Sequence, residues 1–494
     1  MNLKLFNQLI TILIILFMLV KMSEVQNFTI DTAVAPAHKD EILEYIYTYY
    51  LMPKPESFSF IKKIRGENGL NLYFTALRLD KGWNVQVKME SGSPIKVELK
   101  SDDVTPDEFV KTIKEDLILA VQFYHENVRQ STMYFAWVEG EDIIPEQPPT
   151  SRKRLSDRLF GSNLLFIYVL FFGINIILFV LLGLIFAVIA ILGFQFVIVL
   201  LSDKIYTAGN NWKITPSNPY VHILEYQLPL DEFKEFREKF GKEIVVQMKK
   251  EIYDKTLAVG QEPTCEIGET IFENYGFKCT PESRLVKIVD VYNIVKTAAE
   301  KFDLPIPKIV ISNTMVPNAA ATGPSPSRGL VMITTGLLVE LEEDEILSVL
   351  GHEMGHLKGR DPIVLFSIIS GEFILRFTLF FPLVILNPIV YIIVVMALIF
   401  FVAKFFETRA DLVSAMKIGQ PQVLADSLRK IGFSRLQMER SSSNVLRWLA
   451  WDPHPPLYFR IERLDKMETP VKVKHPLIQS AKDVVNGFRR SLGG

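Results

Sequence analysis

Cysteine and histidine are scarce in this chain, and neither sign of charge is in excess. The 494 residues include 2 Cys and 7 His, and 54 Lys and Arg residues stand against 56 Asp and Glu residues. Two cysteines exclude a disulfide framework and a thiolate zinc ribbon. The balanced charge argues against a nucleic-acid-binding protein. With 27 Pro and 26 Gly, the composition is also not that of a disordered or fibrous chain.

Apolar residues are abundant instead. They make up 49% of the chain, and the mean hydropathy is +0.21, whereas soluble proteins of this size rarely average above zero. The first apolar block covers residues 3–20, so we predict an N-terminal membrane anchor or signal-like segment over residues 1–23. A cleaved signal peptide is the alternative, although no small-x-small cleavage site follows closely.

Two longer apolar blocks are each too long for a single membrane pass. Residues 164–201 contain no charge, and one helix of that length would span about 57 Å against a hydrocarbon core of about 30 Å. We therefore predict a transmembrane hairpin over residues 162–202 that turns near Gly183. The other block predicts a second hairpin over residues 363–404, because Asn387 and the following proline favour a turn in its middle.

A charge pair lies inside the second hairpin. Glu372 and Arg376 have i,i+4 spacing, and charges within a membrane are costly unless they face protein or water. We interpret them as a mutually neutralising pair near the interface, and a polar seam that faces the substrate is the alternative.

Basic residues predict the orientation of the hairpins. They precede the first hairpin and flank both ends of the second, and the positive-inside rule places such loops in the cytoplasm; they are Arg152, Lys153, Arg154, Arg158, Lys358, Arg360, Lys404 and Arg409. Both hairpins then leave and return on that side, residues 24–161 are cytoplasmic, and the N-terminus lies outside. The prediction is a multi-pass cell-membrane protein.

Residues 24–150 read as a small α+β accessory domain without catalytic chemistry. Helical spacing near 41–50 is followed by strand-like alternation, then by an amphipathic helix and a further strand; these segments cover 71–77, 83–89, 95–99, 105–126 and 134–138. This domain would serve packing, sensing or docking, and recruitment of a partner to the rest of the chain is one possibility. Cys265 and Cys279 lack metal-ligand spacing and have no assigned role.

One short motif carries the chemistry. His352 and His356 are one helical turn apart, so both imidazoles can reach one Zn²⁺ ion. Glu353 stands beside them, where it can take a proton from metal-activated water. Acidic residues at 342–345 favour the start of a helix there, because the helix dipole stabilises negative charge at its N-terminus.

A catalytic zinc ion needs a third protein ligand. After the second hairpin, Glu407 and Asp411 have i,i+4 spacing, so Glu407 can bind zinc while Asp411 accepts the N–H of a ligand histidine. A hairpin before Glu407 also returns the chain to the membrane face that carries the histidines. Glu372 and Asp361 are alternative third ligands, but the first lies too deep and the second too near. We expect one Zn²⁺ ion per chain, which two histidines and one glutamate suit.

These motifs resemble a known family. His352-Glu353-x-x-His356, a membrane hairpin and Glu407-x-x-x-Asp411 are similar to the HtpX-like membrane zinc metalloproteases and their relatives, the Ste-type CAAX prenyl proteases. The resemblance covers about residues 160–470 and implies a gluzincin fold that cuts membrane or misfolded proteins at the cytoplasmic face. HtpX-like enzymes usually begin with their first hairpin, whereas here another apolar block and the accessory domain precede it.

Two more segments resemble the family and imply roles. Asn318, Ala319 and Ala320 stand in a segment like the family's substrate edge, where strand addition would bind an extended substrate. His454 and Arg460 stand in a segment like its C-terminal signature, and either could stabilise the oxyanion of the tetrahedral intermediate. A structural turn fixed by prolines is the alternative for His454, and a salt bridge is the alternative for Arg460.

The sequence thus predicts an α-helical membrane protein with two transmembrane hairpins, a small N-terminal α+β domain and a mostly α zinc-metalloprotease domain over residues 205–362 and 405–475. The expected function is zinc-dependent endopeptidase activity on membrane or misfolded polypeptides, by attack of metal-activated water. The expected partners are polypeptide substrates and the lipid bilayer, with no nucleic acid. A CAAX-type prenyl-peptide protease and a non-catalytic membrane scaffold that retains the zinc site are the alternatives.

Overall fold

A computed structural model describes residues 25–142, 164–227, 235–261, 270–275 and 284–492, apart from short gaps at 31, 33–37, 67–68, 103, 208, 210, 237, 242, 272, 442 and 450–451. The first apolar block, the basic residues before the first predicted hairpin, Cys265 and Cys279 lie outside the described residues. The chain divides into two compact units. The first comprises Met1–Tyr134, Leu224–Val245 and Thr264–Leu285, and the second comprises Phe135–Ile223, Val246–Pro263 and Val286–Gly494.

The first unit contains a five-stranded antiparallel sheet. Its strands are β1 (Val25–Ile30), β2 (Phe58–Gly66), β3 (Gly69–Arg78), β4 (Trp83–Glu90) and β5 (Ile95–Ser101), in the spatial order β1-β5-β4-β3-β2. Alternate residues of the central strands are buried, because successive side chains in a strand point to opposite faces of a sheet. One face therefore packs in a common core with the helices α1 (Glu41–Tyr45) and α2 (Asp107–Ser131) and with the π-helical turn Ile46–Leu51.

The second unit contains the sheet that adjoins the candidate site. Its strands are β7 (Trp212–Ile214), β10 (Lys308–Ser312), β11 (Ala319–Thr322) and β12 (Leu330–Thr334), in the order β11-β12-β10-β7. β10 and β12 are parallel, and β11 runs antiparallel to β12 with Ala319 opposite Ile333. β11 is therefore an edge strand. A three-stranded sheet has the order β6-β8-β9, formed by Thr132–Val138, Tyr220–Gln227 and Arg284–Asp290.

Helices make up most of the second unit. In chain order they are α3 (Leu164–Leu200), α4 (Ser202–Thr207), α5 (Glu243–Lys255), α6 (Val291–Lys301), α7 (Thr335–Glu340), α8 (Glu343–Gly359), α9 (Asp361–Phe377), α10 (Phe381–Leu386), α11 (Pro388–Ile418), α12 (Pro421–Ile431), α13 (Phe433–Ser441), α14 (Asn444–Leu449), α15 (Leu457–Asp465) and α16 (Pro476–Leu492).

The apolar helices correspond in part to the predicted hairpins. Among the described residues, α11 is the one helix long and apolar enough to cross a membrane, as judged from length and composition. The helical conformation of α3 is interrupted at Gly183, where φ is 72° and ψ is 172°, a backbone geometry that glycine adopts readily. Before this break, the ring centroid of Phe179 lies 5.2 Å from that of Phe377 in α9. After it, the ring centroid of Phe196 lies 6.1 Å from that of Phe366 in the same helix. At the predicted second turn, Asn387 caps α11 by accepting the N–H of Val390.

Candidate metal centre

The helix α8 carries both histidines of the motif. It begins with a capping box between Glu342 and Glu345, which satisfies N–H groups that lack helical partners. Lys430 of α12 contacts the Glu345 carboxylate at 2.7 Å. A buried apolar stripe fixes the rotation of the helix and leaves the histidines on another face; it consists of Ile346, Leu350, Met354 and Leu357.

Small residues allow α8 to lie close to α11. A Cβ atom at Gly355 would come within 3.2 Å of the Ala410 Cα atom and 3.3 Å of its carbonyl oxygen. At Gly351 a Cβ atom would come within 2.7 Å of the Ser414 hydroxyl. Glycines thus permit this approach, and Glu407 of α11 reaches the two histidines of α8.

Three side chains converge at the crossing of these helices. The Nε2 atoms of His352 and His356 are 3.1 Å apart. Each lies 3.4 Å from a carboxylate oxygen of Glu407, Oε2 for His352 and Oε1 for His356. Their potential ligand atoms all lie within 4.8 Å of one another. Two imidazole nitrogens and a carboxylate oxygen at this separation could hold one metal ion.

Carboxylates outside the group contact the other ring nitrogen of each histidine. Asp411 Oδ1 lies 2.8 Å from Nδ1 of His352, and Asp361 Oδ2 lies 2.7 Å from Nδ1 of His356. Such partners fix the ring orientation and direct the Nε2 lone pair towards a metal ion. Each carboxylate also accepts from an arginine, since Arg460 donates two hydrogen bonds to Asp411 and Arg409 donates to both oxygens of Asp361.

The donor set fits zinc. Oε2 of Glu407 is buried and accepts no hydrogen bond from the described residues, so it retains a lone pair for a ligand. Burial would lower the pKa of both imidazoles, but the neighbouring carboxylates outweigh it and raise the pKa, for His356 to about 10. The site therefore favours added positive charge. A zinc ion supplies that charge, and neutral imidazoles and a carboxylate are its usual ligands.

Two further side chains of the predicted site lie near the centre. Glu353 follows His352 on α8 and is 8% exposed. Nε2 of His454 lies 3.7 Å from Oε1 of Glu407, while its Nδ1 lies 2.9 Å from Oδ1 of Asp452. Burial would raise the pKa of Asp452, but hydrogen bonds from His454 and the charge of Arg435 lower it to about 2. His454 is therefore held by an ionised carboxylate.

The predicted substrate edge lies in the sheet that adjoins α8. Ala319 and Ala320 belong to the edge strand β11, which packs against α8. Asn318 precedes the strand, and its backbone N–H donates to the Thr334 hydroxyl at 2.9 Å. The edge of β11 that faces away from β12 could offer its backbone groups to an extended chain. The substrate-binding role of these residues stays a prediction.

The remaining candidates are placed differently from one another. Arg460 donates to Asp411, and its Nη1 lies 3.4 Å from Oε2 of Glu407. These contacts are a salt bridge, which is the alternative to a catalytic role for Arg460. Asp361 contacts Nδ1 of His356, not the Nε2 atom that converges with the other potential ligands. Glu372 pairs with Arg376 and accepts from a tyrosine hydroxyl. Neither carboxylate therefore takes part in the group of potential ligand atoms.

Sequence reasoning did not assign roles to Asp361 and Asp452 as partners of histidines. Asp361 begins the helix after α8, five residues from His356, and the sequence suggested it only as an alternative metal ligand. Asp452 stands two residues before His454, and this Asp-x-His spacing was the available signal.

Sequence comparisons show which known proteins this chain is similar to. A family model described as peptidase family M48 matches residues 288–468. The protease HtpX homolog of Thermodesulfovibrio yellowstonii is 28% identical over 230 residues, covering 39% of this chain and 79% of the relative. The protease HtpX homolog 2 of Methanosarcina acetivorans is 35% identical over 203 residues, covering 34% of this chain and 68% of the relative. The chain belongs to peptidase family M48.

Membership of the M48 family confirms the predicted resemblance and the assignment as a metalloprotease. M48 peptidases are in general zinc enzymes, and the group formed by His352, His356 and Glu407 could bind the metal. The matched residues 288–468 include all of the predicted site. Among solved structures, Ste24p of S. mikatae covers 48% of this chain and 64% of its own, with 18% identity and a TM-score of 0.29.

Proposed function

We propose that this M48 protein is a membrane-embedded zinc endopeptidase that cuts membrane or misfolded polypeptides on the cytoplasmic side. The observation that carries the proposal is the convergence of two imidazole nitrogens and the Glu407 carboxylate within 4.8 Å, beside the buried Glu353. When bound, zinc polarises the attacking water and the scissile carbonyl. One Zn²⁺ ion per chain is expected.

The residues of the site have separate tasks in this proposal. His352, His356 and Glu407 hold the ion, and Asp411 and Asp361 orient the two histidines. Glu353 accepts a proton from the attacking water and passes it to the leaving amine. His454, on the Glu407 side of the centre, gives its Nδ1–H to Asp452, so in its doubly protonated form it donates from Nε2 to the carbonyl oxygen as that oxygen gains charge.

Membrane embedding by two hairpins is part of the same proposal. The apolar helices α3, α9 and α11 support it, and so do the contacts of both halves of α3 with α9. The basic residues that flank these helices favour a cytoplasmic site. The substrate class follows from the similarity to proteins named as HtpX proteases, and the strand edge at 318–320 suits sequence-tolerant binding.

Maturation of prenylated peptides is a second candidate, and a cavity favours it. A cavity of about 480 Å³ lies among α3, α9 and α11, within the range of about 300–1,000 Å³ typical of small-ligand sites. Its lining is mostly apolar and includes Gln195, Phe366 and Phe400. Pro362 and Pro453, which are sequence neighbours of Asp361 and His454, also line it. A lipid chain attached to a substrate could therefore lie close to the centre.

Three substrates separate the candidates. Purified protein in detergent is incubated with unfolded casein, with a single-pass membrane reporter and with a prenylated CAAX peptide, and products are identified by mass spectrometry. Cleavage of the first two supports the proposed endopeptidase, whereas cleavage of the peptide alone supports prenyl-peptide maturation. Glu353→Gln should be inactive, and the same change at the exposed Glu343 of α8 should have no effect. Zinc binding without Glu353-dependent cleavage would favour a non-catalytic scaffold.

A further inference from the structure

Residues 452–456, which lead into α15, hold His454 without regular secondary structure. Pro453, Pro455 and Pro456 surround the histidine, and proline has no N–H to donate. The segment therefore depends on side chains of other elements to hold it in place. The backbone N–H of His454 donates to Oδ1 of Asp452 at 2.8 Å, which shapes the segment locally.

Arg435 of α13 binds this segment through the Asp452 side chain and through backbone carbonyl oxygens. Its Nη1 lies 3.1 Å from Oδ2 of Asp452, and its Nη2 donates to the Pro455 carbonyl oxygen at 2.8 Å. Its Nε donates to Oε1 of Glu439 at 2.9 Å. All three nitrogens of the planar guanidinium are thus engaged, and this fixed fork determines where Asp452 and Pro455 lie relative to α13.

Two further groups hold the ends of the segment. Glu439, which is 7% exposed, accepts the backbone N–H of Leu457 at 2.8 Å and so caps the start of α15, where a negative charge is favourable. Nζ of Lys404 donates to the Asp452 carbonyl oxygen at 2.7 Å. Lys404 lies three residues before Glu407 on α11, so the segment is tied to the helix that carries the third potential ligand.

We propose that Arg435 is a positioning residue for His454. The guanidinium holds Asp452 and Pro455 on either side of the histidine, Asp452 holds Nδ1, and Nε2 is thereby directed to the Glu407 side of the metal centre. This inference rests on the proposed function. The hydrogen bonds and the ion pair of Arg435 join it to Glu439, to Asp452 and to the carbonyl oxygens of His454 and Pro455, so its effect on the centre passes through His454.

A double-mutant comparison tests this role. Kinetics are measured for wild type, Arg435→Lys, His454→Ala and the double variant on a peptide found from a casein cleavage site. Loss of a donor to the developing oxyanion lowers kcat by about 100-fold or more, which we expect for His454→Ala. A displacement of about 1 Å can cost up to about 100-fold, and we expect at least a tenfold loss of kcat for Arg435→Lys with KM unchanged. In the His454→Ala background, Arg435→Lys should cause no further loss.

Controls separate positioning from general damage. Arg429→Lys makes the same change at another arginine of this unit, whose ion pairs are with Asp426 and Asp465 rather than with residues 452–456. It should leave kcat within twofold of wild type. Asp452→Asn preserves side-chain shape and weakens the contacts with both Arg435 and His454, so it should lower kcat as Arg435→Lys does.

Three results would overturn the inference: an unchanged kcat in Arg435→Lys, an equal loss in both backgrounds, or a parallel loss of bound zinc. Failure of the proposed function would give a different result, because the Glu353→Gln variant would then cleave as the wild type does.

Discussion

Replacing Gly355 by alanine tests whether the close approach of α8 and α11 determines the metal site. The new Cβ atom would lie 3.2 Å from Cα and 3.3 Å from the carbonyl oxygen of Ala410. Both are backbone atoms, so no side-chain rotation relieves the contact. Carbon atoms in good contact lie about 3.5–4.0 Å apart, so the helices must separate locally by about 0.3–0.8 Å.

This displacement is large on the scale of metal coordination. Ligand distances in a working site are held to about 0.2 Å, and His356 and Glu407 stand on opposite helices of the crossing. We expect Gly355→Ala to lower zinc affinity about tenfold, equivalent to about 1.4 kcal/mol. Overpacking should also lower the free energy of unfolding by about 1–3 kcal/mol.

The assay is a zinc titration against a chromophoric chelator, with thermal unfolding of the same samples. Gly371→Ala in α9 is the matched control, because a Cβ atom there meets, among the described residues, no atom within 4 Å beyond its own stretch of helix. It should bind zinc as wild type does and gain slightly in stability, since alanine favours helices over glycine by about 1 kcal/mol. Wild-type zinc affinity in Gly355→Ala would refute the idea that this approach sets the site.

Three other perturbations have expected outcomes. Asp411→Asn should lower zinc affinity about 10–100-fold in the same titration, because His352 loses its ionised partner; unchanged affinity would count against that partner. Asp203→Asn should lower the free energy of unfolding by about 1–3 kcal/mol, because the buried carboxylate accepts from Lys308 and Arg328. Burial would raise the pKa of Asp203, but these cations lower it below 3.8, so the stabilisation is complete above that pH and is lost as the pH falls through the lowered pKa. Denaturation measured from pH 7 to pH 3 should therefore show that the difference in free energy of unfolding between wild type and Asp203→Asn shrinks as the pH falls. A constant difference would contradict this role of Asp203. Removing metal with a chelator should abolish cleavage and lower Tm, and zinc at about 100 times its Kd should restore about 2.7 kcal/mol of stability; a Tm that does not respond to zinc would contradict a folded-state site.

Local patterns allowed much of the fold to be predicted. Alternation in the first unit indicated the strands that the structure has at β3, β4 and β5, and the spacing of His352, His356 and Glu407 selected residues that the structure brings together. The alternation lies within single strands, so it can be read from the local sequence. The metal-site residues lie in two helices, and they were selected because their side chains are of the types that bind one metal ion.

Pairings between distant segments could not be predicted. β1 pairs with β5, with Val25 opposite Lys100, and no strand was expected at the start of this unit because nothing local marks a partner so far along the chain. The contact of Arg435 with Asp452 depends on how the elements that carry them pack together, which the sequence period does not specify. The contact of Asp361 with His356 is local, but it depends on the sharp turn at Arg360 between two helices, which the period does not specify either.

Zinc content measured together with cleavage tests the central claim most directly. Wild type, Glu353→Gln and Glu407→Gln are purified in detergent, zinc is counted by mass spectrometry, and cleavage of casein is followed on gels. We predict one zinc ion and cleavage for wild type, one zinc ion without cleavage for Glu353→Gln, and loss of both for Glu407→Gln. Cleavage by Glu353→Gln, or tightly held zinc in Glu407→Gln, would contradict this claim.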